Sequence, residues 1–352
     1  MSYLQSLPRL RGATATALHQ LRPIQAPFLG LSLLKRAYSS STSSNDQTKN
    51  QQQRQSRFNP SGRLSGRTCM ITGATSGIGY AIADRFLQEG AERIILVGRS
   101  QQRLLNAAAR LGECPEGVTT GNGSDEILAT RAPEENQQES MGIGLSEGRR
   151  VSLLVGDVSE SGPWVRELEE SMKDVDILVN SAGISTTNIL ARTDPDFISQ
   201  TLRTNLEGAI LTSRALLRAA IRTRSKNRNS TTEIPSKCII NISSLLAHKG
   251  GTGAVPYAAS KAGVLGLTRS LAVEAASSLR GVVIRSNAIV PGYIDTPMIA
   301  NFSESEKTHF KDEIPLGRFG DPQEIADTAV FLAQNEYANN CIINIDGGLS
   351  AV

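Results

Sequence analysis

Thr72-Gly73-Ala74-Thr75-Ser76-Gly77-Ile78-Gly79 joins an apolar β-like run, Thr68–Thr72, to a helix-like stretch, Gly79–Gln88. Glycines at such a turn let the backbone approach a pyrophosphate. The helix that follows offers its first N–H donors and the positive end of its dipole. The spacing is GxxxGxG, not the GxGxxG of the general dinucleotide fingerprint. Gly73, Thr75, Ser76, Gly77, Ile78 and Gly79 are therefore candidate cofactor contacts.

Outward from this turn the chain alternates. Further apolar runs lie at Arg93–Val97, Val151–Val155, Val175–Val179, Lys237–Ile242, Val282–Ala288 and Cys341–Ile345. Helix-like stretches lie at Gln101–Leu111, Trp164–Lys173, Arg203–Ile221, Tyr257–Ala276 and Pro322–Gln334. The strands read as nearly continuous apolar runs, as expected of strands buried on both sides. The expected fold class is α/β, a single Rossmann-type, doubly wound, seven-stranded parallel sheet with helices on both faces. Two polar stretches interrupt it. Residues 112–149, rich in Gly, Glu, Ser and Asn, read as a disordered surface insertion, because a structureless loop of that length is uncommon inside a compact domain. Arg222 to Ser236 is a shorter polar segment, with a basic cluster of the kind found at solvated helix ends.

The cofactor end continues past the turn. The second strand ends Leu96-Val97-Gly98-Arg99-Ser100. NAD-preferring domains place a carboxylate here for the ribose 2′-OH. A guanidinium suits a 2′-phosphate instead, so Arg99 favours NADPH (NADP+). Asp157 and Val158 follow the third strand, where Asp157 is placed to accept from an adenine amino group. Asn180, Ala182 and Gly183 form a small-residue turn after the fourth, against which a cofactor would lie.

At the other end, Ser243 and Ser244 close the fifth strand, and Tyr257-Ala258-Ala259-Ser260-Lys261 opens the next helix. Tyr257 and Lys261, at i and i+4, share one helix face. A free phenol, with a pKa of about 10, is a poor acid at neutral pH. An ammonium about 4 Å away at an effective dielectric of about 20 is worth roughly 4 kcal/mol. That is about three pKa units.

Bulk properties bound the rest. The chain has 352 residues, 39% hydrophobic and 20% charged, enough to bury a real core, and no apolar run long enough to span a bilayer. Residues 1–38 carry Arg9, Arg11, Arg22, Lys35 and Arg36 and no acid, the composition of a mitochondrial transit peptide; the arginines argue against a plastid address. Lys35-Arg36-Ala37-Tyr38-Ser39-Ser40 resembles a matrix-protease cleavage site. The expected destination is the mitochondrial matrix. Residues 39–63 read as a flexible linker and 64–352 as the catalytic domain. Without the first 38 residues the charge is close to balanced, which gives no case for nucleic acid. The four cysteines, Cys69, Cys114, Cys238 and Cys341, form no CxxC pair and there are three histidines, so no metal site is expected.

These motifs, in order, resemble the short-chain dehydrogenase/reductase family over roughly residues 64–352, the two insertions apart. They are Thr72–Gly79, Asn180–Gly183, Asn205, Ser244, Tyr257–Lys261, Pro291–Gly292 and the terminal Asp346-Gly347-Gly348. The resemblance implies catalytic roles for four residues. Ser244 polarises a carbonyl, Tyr257 transfers the proton, Lys261 holds the ribose and lowers the tyrosine pKa, and Asn205 supports a water-linked relay. Ser243 competes with Ser244, but the spacing to Tyr257 favours Ser244. The resemblance also makes Pro291, Gly292, Ile294 and Thr296 a nicotinamide-carboxamide contact, adds Tyr257 and Lys261 to the cofactor site, and makes Met298–Lys311 a substrate lid. Three departures stand out: Ser181, Arg285-Ser286-Asn287 in place of the usual Arg-Val-Asn, and Tyr337–Cys341, which lacks the usual glycine before the last strand. The last two are expected to disturb strand packing or subunit contacts.

Within the family, Ile314–Ala326 and Tyr257–Gly263 resemble 3-oxoacyl-(acyl-carrier-protein) reductases. That resemblance implies NADPH-dependent reduction of a 3-oxoacyl thioester in mitochondrial fatty acid biosynthesis. It further implies an acyl carrier protein docked by Arg218, Arg222 and Arg280, and a homotetramer. Enzymes of the same frame acting on acyl-CoA, steroids or polyols are the alternative, as is a non-catalytic scaffold.

Overall fold

The computed structural model describes residues 62–112, 118–120, 150–185, 187–226, 236–278, 282–300 and 302–352. The transit segment, most of the linker, most of 112–149, Cys114 and Arg280 lie outside the described residues.

The sheet is built from β1 (Thr68–Thr72), β2 (Arg93–Gly98), β3 (Val118–Thr120), β4 (Val151–Val155), β5 (Ile177–Asn180), β6 (Lys237–Ile242), β7 (Ile284–Pro291) and β8 (Ile342–Ile345). Every pairing is parallel, in the order β3-β4-β2-β1-β5-β6-β7-β8. The seven expected strands all form. The addition is β3, three β-branched residues that continue the sheet beyond β4. It stands inside the span read as an insertion. Its three residues are too short a run to separate from the polar sequence around them.

The helices are α1 (Gly77–Gln88), α2 (Gln101–Arg110), α3 (Pro163–Ser171), α4 (Pro195–Leu202), α5 (Gly208–Lys226), α6 (Val255–Ser278), α7 (Glu304–Glu313) and α8 (Pro322–Gln334). Alternate strand residues feed two cores. Cys69, Ile71, Ile94, Leu96, Ile177 and Val179 pack with α1, α2 and α8. Met70, Ile95, Val97, Leu154 and Leu178 pack with α3, α5 and α6. Both faces are dry, which is why the strands lack a polar phase in sequence. Trp164, the chain's single tryptophan, lies so close over Gly156 that any side chain there would overlap its ring. Strand order reverses at β1, so the crevice beyond the carboxyl ends of β1 and β5 is where such sheets take a ligand.

Two of the departures interlock rather than disturb the sheet. The buried Arg285 guanidinium donates to the carbonyls of Leu332 and Ala338 at 2.8 and 2.9 Å and of Ala333 at 2.8 Å, closing the C-terminal end of α8. Asn339 Oδ1 accepts from Ser286 N–H, and Asn340 N–H donates back to the Ser286 carbonyl. Asn287 donates to the Ala338 carbonyl and accepts from Cys341 N–H. Asn340 takes φ +58°, the left-handed geometry that a glycine would supply and that asparagine tolerates. What remains are Arg285 Nε and the Ser286 hydroxyl, each buried without a hydrogen-bond partner.

Candidate active site

The loop between β1 and α1 lies against the end of β5. Gly73 has φ +68°, and a Cβ on it would stand 2.7 Å from Ala182 Cα; a Cβ on Gly79 would stand 2.6 Å from the Gly73 carbonyl oxygen. Only glycine permits both contacts. Thr72, at the end of β1, fixes the approach: its hydroxyl accepts from the N–H groups of Ser181 and Ala182, each at 3.1 Å. Sequence reading missed this role, because a terminal β-branched residue reads simply as strand. The N-terminus of α1 has no side-chain cap, whereas Ser100, Asp194, Ser303 and Asp321 cap α2, α4, α7 and α8. An uncapped first turn behind a glycine loop fits a phosphate group, so the loop fits a dinucleotide.

The other expected cofactor contacts border the same crevice. The Thr75 methyl approaches Gly98, and the Thr296 methyl would stand 3.3 Å from a Cβ on Gly77, so the segment after β7 reaches the glycine loop. Gly292 fits closely over Asp346 at the end of β8, next to the buried Pro291. Ile78 is partly buried against the core. Ile294 and Val158 are buried, Ile294 over Gly320 and Val158 over Gly208, so their side chains shape the wall. Asn180 is buried in a polar network: it donates to Ser213 and Asn241 and accepts from Thr212. Its side chain is spent on structure. Arg99 and Asp157 face each other at 3.7 Å, and Asp157 also accepts from the Ser159 N–H and hydroxyl. Arg103, in the first turn of α2, donates to Ser76 Oγ at 3.4 Å.

The catalytic candidates converge from β6, α6 and the helix before α5. Ser244 caps a short 3₁₀ turn, accepting from Leu246 N–H at 3.2 Å. Ser243 is buried and donates to the Lys261 carbonyl at 2.9 Å, which removes it from the competition with Ser244. Burial pushes the Tyr257 phenol up, and its hydrogen bond with Ser244 pulls it partly back. Lys261 is buried, donates to the Ile242 carbonyl at 2.8 Å and has its Nζ 5.7 Å from the Tyr257 ring centroid. Desolvation lowers it to about 8. Desolvation is the largest influence on both groups in the protein alone.

Asn205 lies in a π-helical turn, Arg203–Glu207, which widens the helix and turns the side chain inward. It pairs with the Ile184 backbone in both senses, Ile184 N–H to Oδ1 at 2.8 Å and Nδ2 to the Ile184 carbonyl at 2.9 Å, and also donates to Ser260 Oγ. Gly183 completes the contact: a Cβ there would stand 3.4 Å from Asn205 Oδ1 and 3.5 Å from Lys261 Nζ. Asn205, Lys261 and Gly183 thus meet in one place although 22 to 78 positions separate them in sequence.

The segment expected to form a lid contains a 3₁₀ turn, Pro297–Ile299, and most of α7, which buries none of its residues. Phe310 of α7 stacks on Tyr293 at 4.5 Å. Arg218 and Arg222 on α5, with Arg214, all pair with Glu169 of α3, at 3.2, 2.9 and 3.2 Å. Their N–H groups are partly engaged within the chain. Among the described residues, no cluster of side chains could hold a metal ion and no helix is long and apolar enough to cross a membrane.

Comparison with known proteins gives the same frame. A family model described as short chain dehydrogenase matches residues 67–125, and one described as enoyl-(acyl carrier protein) reductase matches residues 124–350. The 3-oxoacyl-(acyl-carrier-protein) reductase of Thermotoga maritima is 34% identical over 82% of this chain and 99% of its own. That of Rattus norvegicus is 32% identical over 80% and 98%. A crystal structure of a putative NAD(P)-dependent gluconate 5-dehydrogenase from Beutenbergia cavernae with bound NADP superposes with a TM-score of 0.65 at 27% identity, covering 82% of this chain and 98% of that one. The glycine loop, the Ser244, Tyr257 and Lys261 set behind it and these relatives agree: the chain belongs to the short-chain dehydrogenase/reductase family of oxidoreductases.

Proposed function

We propose that the chain reduces a 3-oxoacyl thioester, carried on acyl carrier protein, to the 3-hydroxyacyl thioester, with NADPH, in the mitochondrial matrix. The observation that carries this reading is Ser244, Tyr257, Lys261 and Asn205 gathered beyond the glycine loop in a chain about a third identical to named 3-oxoacyl-(acyl-carrier-protein) reductases. NADP in the related crystal structure and Arg99 at the end of β2 support the cofactor choice.

The bound NADPH supplies the hydride. Ser244 Oγ donates to the ketone oxygen and orients it. Tyr257 Oη gives its proton to the oxygen as that atom gains charge. Lys261, when charged, favours the phenolate left behind. Asn205 and its π-turn hold the backbone near Gly183 open for a water that returns a proton. Arg218, Arg222 and Arg280 are the proposed cationic contacts for an acidic carrier protein, and the assembly is a homotetramer.

The purified chain is assayed by NADPH oxidation with acetoacetyl-acyl carrier protein, acetoacetyl-CoA and 5-ketogluconate. Turnover is expected to favour the carrier-protein thioester, and Tyr257→Phe to lower kcat by about 10²–10⁴ with NADPH binding retained. No oxidation with any 3-oxoacyl thioester would overturn the substrate; turnover of 5-ketogluconate alone would support a sugar-acid reading instead. Sequencing the N-terminus of the protein from isolated mitochondria is expected to find residues 1–38 removed.

A further inference from the structure

The 2′-phosphate end of the site has an unbalanced charge. Nothing between Gly73 and Gly79 is basic. Arg99 is the cation that sequence offers, but it faces Asp157 at 3.7 Å, so the pair together is close to neutral. A phosphate monoester carries about −1.5 to −2 at neutral pH. Delivering such a group to Arg99 alone also brings it toward the Asp157 carboxylate.

Arg103 supplies the missing charge. Ser100 caps α2 by accepting from Arg103 N–H at 3.3 Å, which fixes the first turn of the helix beside the end of β2. Helical side chains lean toward the N-terminus, so the Arg103 guanidinium is directed back over that turn. It reaches Ser76 of the glycine loop at 3.4 Å while remaining exposed. Ser76 does not cap α1, so its hydroxyl is available to face the same space. The loop thus borrows a guanidinium from α2 in place of one of its own.

We propose that Arg103, held by Ser76 and paired with Arg99, is the second cation that binds the adenosine 2′-phosphate and sets the preference of this chain for NADPH over NADH. The proposal rests on the NADPH reading above. It gives Ser76 a part of its own, since its hydroxyl holds the guanidinium in the first turn of the loop. Arg99 and Arg103 together outweigh Asp157 by one unit of charge, and a planar guanidinium adds directed N–H donors to that charge.

The test uses ligands that lack the nicotinamide and so is independent of turnover. Adenosine 2′,5′-bisphosphate and adenosine 5′-monophosphate are titrated calorimetrically into the full chain, the Arg103→Gln variant and the Arg99→Gln variant. The ratio of the two affinities isolates the 2′-phosphate, and the monophosphate affinity checks that each variant keeps the adenosine pocket. Arg103→Gln is expected to lower the ratio by about ten-fold, comparable to Arg99→Gln, with the monophosphate affinity unchanged. Arg103→Lys is expected to recover part of it. A ratio unmoved by Arg103→Gln but reduced by Arg99→Gln overturns the role of Arg103 and leaves the NADPH reading standing. A wild-type chain that binds both ligands equally overturns both.

Discussion

Lys261 meets two opposed demands. Its ammonium must be charged to favour a phenolate, yet it is buried and titrates at about 8, against an ordinary 10.5. Between those values the unfolded chain holds a proton that the folded chain has shed, so stability from this group rises with pH through that window. Below it both states are charged and the burial cost is constant. The full span corresponds to about 3 kcal/mol. Tyr257 acts the other way above its ordinary range, because its raised folded pKa makes the unfolded chain ionise first. Urea midpoints of the cofactor-free protein, measured from pH 7 to 10, are expected to fall less steeply, or to rise, in the wild type compared with Lys261→Met. Identical pH slopes in the two proteins would remove burial of the charge as the cause.

At the scale of elements, the site depends on close backbone approach. Gly73→Ala forces a left-handed φ on a residue with a Cβ and drives that Cβ into the end of β5. The strain alone costs about 1–2 kcal/mol. Thermal unfolding is expected to come several degrees lower and NADPH affinity to fall at least ten-fold; a variant with native affinity would show that the loop tolerates displacement from β5. The junction of β7 with the Tyr337–Cys341 turn makes the opposite prediction. There Arg285, Asn287, Asn339 and Asn340 make their bonds, and Arg285 Nε and the Ser286 hydroxyl are the two buried groups left over. Ser286→Ala removes an unsatisfied group at little loss of volume. It is expected to stabilise the protein by about 1 kcal/mol in urea unfolding; a loss of that size would imply an unseen partner for the hydroxyl.

For the whole molecule, periodicity and punctuation carried most of the architecture. Thr68–Thr72 and Pro322–Gln334 were legible to the residue, because glycine or a Pro-Gln-Glu capping sequence marks their ends. Val175–Val179 and Val282–Ala288 begin two residues early and end one and three residues short, since apolar residues also stand in the preceding loops. The π-turn at Arg203–Glu207 has no signature of its own: one extra residue in a helical turn leaves the apolar pattern intact. Spacing to Tyr257 picked out Ser244, but only the fold shows why Ser243 is excluded, through its bond to a carbonyl eighteen residues away. Interlocking of two departures from the family pattern was invisible for the same reason, because the compensating residues are some 50 positions apart. One consequence of that long-range packing is optical. Trp164 is the chain's single indole, seated on Gly156 directly before Asp157, just past the carboxyl end of β4. Its emission overlaps the absorption of a reduced nicotinamide, so adding NADPH is expected to quench it and to excite the coenzyme's own fluorescence by energy transfer. Trp164→Phe should abolish that transfer while the coenzyme still binds by calorimetry, giving the molecule an internal, label-free gauge of its own occupancy.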